Sequence, residues 1–106
     1  MPPDDLNETI KALAHPLRRE ILCWLKCPAT HFPDQLHSFE LGVCAGQLQQ
    51  KCGLSAASTS AHLAVLSKAG LIQCQKHGQW HFYRRNETSI ESFSQAIQAY
   101  LSPQEM

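Results

Sequence analysis

No apolar stretch in this 106-residue sequence approaches the roughly 18 residues a membrane-crossing helix needs, so no membrane span is expected. Charge is scarce and balanced: nine lysines and arginines face nine acids, for a formal net charge of zero. A nucleic-acid partner is therefore not announced by total charge, only by where the charges fall. An even cysteine count is missing too. Five cysteines, behind an acidic start (Met1-Pro2-Pro3-Asp4-Asp5) without the parts of an export signal, argue against a disulfide framework. They predict free thiols in a cytoplasmic protein. No nucleophile motif with a histidine partner and oxyanion donors is visible, so cysteine-enzyme chemistry is rejected. There is no internal repeat and no low-complexity segment.

What is present suits one small domain spanning 1–106. Hydrophobic residues make up 43% of the chain, enough for a single core, and a chain this size gains from a dimer interface. Residues 5–14 predict a first helix with Leu6, Ile10, Leu13 and Ala14 as its apolar stripe. His15-Pro16 breaks it, and Pro16 opens a second helix to about Lys26, with Leu17, Ile21, Trp24 and Leu25 on one face. Residues 28–43 show no clean period and hold two prolines, two histidines and two phenylalanines. They predict a long loop, functional or packed over the core by Phe32 and Phe39.

The decisive stretch is 45–66. A short helix carrying Leu48 stops at Gly53, where a tight helix-to-helix turn asks for positive φ. Ser55 is placed to cap the next helix. That helix puts Thr59, Leu63 and Leu66 inward and leaves Ser58, Ser60 and Ala61 as a slim outer face, the shape a DNA groove admits. After Ala69-Gly70, two strands, Leu71–Lys76 and Trp80–Arg84, flank a tight turn at His77-Gly78-Gln79 and read as a wing. Trp80, Phe82 and Tyr83 are expected to pack that wing on the core. Lys68, Lys76, Arg84 and Arg85 gather here with no acid before Glu87. A last helix, capped by Asn86 or Thr88, runs to about Leu101, with Ile90, Phe93, Ile97 and Leu101 on one face. The fold class is mainly α with a small β-hairpin: a winged helix-turn-helix of three helices, a recognition helix, a hairpin wing and a closing helix.

Three segments together resemble the ArsR/SmtB winged-helix repressors. They are Ile10–Leu22 with its Ala14-His15-Pro16-Leu17-Arg18, Leu54–Leu66 with Ala69-Gly70-Leu71-Ile72, and Gly78–Arg84. They span nearly the whole chain in the family's order. The resemblance implies a homodimer joined through the first and last helices, bound to a pseudo-palindromic operator on double-stranded DNA and released by an inducer. It places Ala56, Ser58, Ser60, Ala61 and His62 at the major groove, and Ser55 can pair with a phosphate near the helix N-terminus. Lys76, His77 and Gln79 reach the backbone or minor groove. Ala61, where relatives often carry a long polar side chain, and Thr59, in place of a buried aliphatic, depart from the pattern. His62 fits equally a packing role beneath the helix. A winged helix serving as a protein-interaction module, without direct DNA contact, is the alternative reading.

The signal stays open. Of the arsenic-sensing Cys-Val-Cys-Asp, only Cys44 survives, with Gly42 and Ala45 at the other two positions. The family's zinc-sensing branch uses acid and histidine ligands along the last helix; residues 87–101 hold Glu87 and Glu91 but no histidine, so that site is expected to be absent. Cys23 and Cys27, four apart on the second helix, and His31 beyond Pro28 suit a soft metal, a disulfide or core filling. Cys44 and Cys52 flank the first helix of the motif, and Cys74 lies on a wing strand, where oxidation would disturb DNA contact. The His31–His37 loop is the other candidate, contributing to a small-molecule pocket at the dimer interface. No cofactor is certain: the inducer is a metal, a thiol oxidant or a small molecule.

Overall fold

The computed structural model describes residues 3–104, with side chains from residue 5; of the sequence's start, Met1 and Pro2 lie outside the described residues, whereas Asp4 and Asp5 fall in the first helix. The elements run α1 (Pro3–Leu13), α2 (Pro16–Lys26), a single-turn α3 (Pro28–His31), β1 (Val43–Cys44), α4 (Ala45–Cys52), α5 (Ala56–Lys68), β2 (Ile72–His77), β3 (Trp80–Arg85) and α6 (Glu87–Leu101). No helix among the described residues is long and apolar enough to cross a membrane.

Leu6, Thr9 and Ala12 form the buried face of α1; of the expected stripe, Leu6 is buried and Leu13 packs half-buried on the core, but Ile10 is 44% exposed and Ala14 is also exposed. Ala12 is fully buried in the core cluster with Ile21 and Leu25 of α2, and Thr9 satisfies its hydroxyl on the Asp5 carbonyl at 2.9 Å. The α1–α2 break is built by His15-Pro16. His15 caps α2 by accepting from the Leu17 amide at 3.1 Å, and Pro16 fills the first helical position, where no amide is needed. Arg18 and Arg19 turn back to donate to the Ala12 and Leu13 carbonyls, each at 2.6 Å. These carbonyls lack intrahelical partners at a helix end, so the two arginines close α1.

Segment 28–43 is more ordered than a loop. Beside α3 it holds a 3-10 turn at Phe39–Leu41 and strand β1. The expected packing role of its aromatics holds, with Phe32 2% exposed and Phe39 half-buried against the core. Strand β1 turns the predicted hairpin into a three-stranded antiparallel sheet of order β1-β3-β2. Val43 pairs with Tyr83 and Cys44 with Phe82. The core is one cluster in which Ile21 and Leu25 of α2 meet Val43, Leu48, Leu63, Leu66, Leu71 and Ile72.

Candidate nucleic-acid interface

The α4–α5 turn follows the sequence closely. Gly53 sits at φ 69° in the left-handed region and its amide returns to the Gln49 carbonyl at 3.1 Å. Ser55 then caps α5, its Oγ accepting from the Ser58 amide at 3.1 Å. Helix α5 buries Thr59, Leu63 and Leu66 and leaves Ser55, Ala56, Ser58, Ser60 and Ala61 exposed. Its first turn holds no acidic residue, so the partial positive charge of the helix N-terminus is not neutralised locally. Thr59 carries a cost: its buried Oγ1 has no hydrogen-bond partner among the described residues.

His62 belongs to a different arrangement from its serine neighbours. It is half-buried, its Nδ1 accepts from Arg18 Nη1 at 3.2 Å, and its ring meets that of His15 edge-on at 4.6 Å. Its ring joins α5 to the α1–α2 break, contacts of the kind the packing role calls for. Burial first, then the charges of His15 and Arg18, hold its pKa below the ordinary 6.5. The unfolded chain therefore binds a proton that the folded protein resists, and stability rises with pH across that interval. This contribution is complete above about pH 6.5 and is lost as pH falls through the lowered folded value. Thermal midpoints at pH 7.5 and 5.5 check it: the acid-side drop should shrink in His62→Gln.

The wing presents Lys76, His77 and Gln79 on its exposed outer half, with Lys76 opposite His81 and His77 opposite Trp80. Of the basic cluster expected around it, Arg85 is spent internally: it pairs with Glu87 at 2.7 Å and donates to the Leu22 carbonyl at 3.3 Å. Lys68 faces Glu8 at 3.8 Å across an exposed gap. Among the described residues no carboxylate lies within ion-pair distance of Lys76 or Arg84. Phe82 is buried and Tyr83 half-buried as expected, but Trp80 is 45% exposed. Its ring meets that of His37 at 5.0 Å, and His37 in turn lies 5.3 Å from Phe82.

Sequence reasoning missed Gln35. Its Oε1 accepts from the Cys44 amide at 2.9 Å and its Nε2 donates to the Gly42 carbonyl at 3.1 Å. One amide side chain thus pairs the free edge of β1 and fixes the loop that carries His37; the lack of period in this segment hid it.

The cysteines are dispersed. Cys23, Cys27 and Cys74 are exposed, Cys44 is buried and Cys52 is half-buried, and all are free. Exposure of Cys23 and Cys27 removes core filling within the protomer as their role. Burial raises the Cys52 thiol pKa above its usual value. Cys74 Sγ lies 3.6 Å from His81 Nδ1, and burial, with the neighbouring Cys74, pushes the Tyr83 hydroxyl up to about 12. Among the described residues no three histidine, cysteine or acidic side chains are grouped to hold a metal. His31 and His37 line different cavities.

This geometry agrees with known proteins. The chain is 35% identical over 85 residues to the HTH-type transcriptional regulator YbzH of Bacillus subtilis, covering 78% of this chain and 85% of that protein. It is 32% identical over 94 residues to the HTH-type transcriptional regulator YgaV of Escherichia coli, covering 89% and 83%. The chain belongs to the ArsR/SmtB-type winged helix-turn-helix transcriptional regulators. No protein-family model matches it. Among solved ArsR-type folds, it superposes with TM-score 0.65 at 21% identity on a homodimeric winged helix-turn-helix DNA-binding domain of Mycobacterium bovis, covering 97% of this chain and 88% of that one. In ArsR-type terms α4 and α5 are the helix-turn-helix, and β2–β3 the wing.

Proposed function

We propose that this ArsR-type regulator is a single-domain, cytoplasmic homodimer that represses transcription from a pseudo-palindromic operator and releases it when an inducer acts. The observation that carries the reading is the slim exposed face of α5, free of acid in its first turn, beside a wing with unpaired Lys76. Ala56, Ser58, Ser60 and Ala61 enter the major groove, Ser55 pairs with a phosphate near the helix N-terminus, and Lys76, His77 and Gln79 contact backbone or minor groove. Dimerisation through α1 and α6 is supported by a helix without a buried residue: Tyr100 and Leu101 are 72% and 77% exposed, and α1 adds Ile10. The homodimeric state of the Mycobacterium bovis domain points the same way. The inducer acts through the exposed thiols Cys23, Cys27 and Cys74, through a metal completed across the dimer, or through an organic ligand.

The test is fluorescence anisotropy on labelled DNA from the protein's own upstream region, with reduced, metal-free protein, then with zinc, arsenite or a mild oxidant added. Phosphate contacts from a dimer should make affinity fall by about 10³-fold or more between 50 and 200 mM salt. Release by one additive names the signal class. No binding at low salt would overturn the reading and favour a protein-interaction module.

A further inference from the structure

We infer that the cavity between the 33–38 loop and the start of α4 binds a small planar aromatic molecule, neutral or singly cationic. The proposal rests on the regulator reading only in giving an effector its place; binding itself is measured without DNA. The cavity holds about 290 Å³, with Leu36, His37 and Trp80 on one side and Gly46, Gln47 and Gln50 on the other. That volume lies at the lower edge of known ligand pockets, which limits the occupant to one or two fused rings.

Two of the large apolar side chains left in water line this one space: Leu36, fully exposed, and Trp80. The indole wall is preformed. His37 holds the indole at 5.0 Å with Phe82 behind it. Gln35, donating also to the His37 carbonyl at 3.2 Å, ties the loop to β1. A flat ring entering here stacks on surfaces already in position, so little ordering cost is added.

Gly46 supplies an independent observation. Glycine weakens a helix, yet this one lies in the first turn of α4, outside any left-handed turn. Neither does close packing require it, since a Cβ added there would meet nothing within 4 Å. Gly46 lines the cavity, and its lack of a side chain leaves that edge open. Charge selects the occupant further. Among the described residues, Asp34 is the one acidic side chain lining the space, and no lysine or arginine lines it. An anion would face a carboxylate unpaired, whereas a ring cation gains both Asp34 and the indole face. The bound molecule would touch the wing tip through Trp80 and the helix-turn-helix through Gln47.

The experiment uses three bicyclic probes of similar size: isoquinoline, N-methylisoquinolinium and naphthalene-2-sulfonate. In the Trp24→Phe protein, Trp80 is the only indole, and its fluorescence reports occupancy. The first two probes should quench saturably, at least tenfold more tightly than the sulfonate. Gly46→Leu should weaken them at least tenfold without lowering the thermal midpoint. In the wild type, the Trp80 indole and Leu36 methyl resonances should shift with the same midpoint, which keeps the test valid if Trp24→Phe is poorly folded. Equal quenching by all three probes, no saturation, or indifference to Gly46→Leu would overturn the site. DNA binding measured separately stands or falls on its own.

Discussion

Replacing Gly42 by alanine is expected to lower stability by at least about 3 kcal/mol, from backbone strain and steric overlap together. Gly42 ends the 3-10 turn at φ 111° and ψ −154°, a region that residues with a Cβ avoid. An added Cβ would also lie 2.7 Å from the Tyr83 carbonyl carbon and 3.2 Å from Arg84 Cβ, and the first of these is backbone that cannot swing aside. Relief requires β1 to leave β3, which breaks the Val43–Tyr83 and Cys44–Phe82 pairs and the Gln35 clamp on the Gly42 carbonyl. For a domain of this size the thermal midpoint should fall by about 12 °C or more. Gly46→Ala is the control: its Cβ meets open space, so it should be neutral or stabilising. A Gly42→Ala midpoint within about 3 °C of wild type would show that the β1–β3 contact contributes little to the fold.

Gly42 also marks the boundary of what was legible in the sequence. The helix-turn-helix was readable because its determinants are local: Gly53 for the turn, Ser55 for the cap, and Leu63 and Leu66 at helical spacing. Each does in the structure what its neighbours in sequence imply. The wing strands were readable for the same reason, as short runs around a glycine turn. Segment 28–43 was not, because its order comes from contacts distant in sequence. Strand β1 is two residues long, too short to show alternation, and exists because β3 offers it an edge. Trp80 was misread because aromatic character implies burial, while its actual neighbour, His37, is more than 40 residues earlier. His62 was ambiguous because Arg18 and His15, its neighbours in the structure, are distant in sequence. The face of α1 was misassigned at Ile10 and Ala14, because Thr9 and Ala12 carry little hydrophobic signal although both are buried.

Ser58→Glu should separate folding from DNA recognition, because the two respond with opposite sign. Ser58 is three residues after the Ser55 cap, its amide already held by Ser55 Oγ at 3.1 Å. Glutamate there completes a capping box, its carboxylate reaching back toward the Ser55 amide and lying in the positive field of the helix N-terminus. Stability should rise by about 0.5 kcal/mol, visible as a small increase in thermal midpoint. On the proposed DNA-bound dimer, the same carboxylate enters a groove lined with phosphates. Like charges brought together at an interface cost several kcal/mol, and the dimer carries the substitution twice. Operator affinity should therefore fall by more than about 100-fold at moderate salt. Ser58→Gln keeps the capping geometry without the charge. It should retain the wild-type midpoint and lose much less affinity, which assigns the difference between the two variants to electrostatics. If Ser58→Glu binds DNA as wild type does while its midpoint rises, the start of α5 does not face the groove, and the wing or another surface makes the contact.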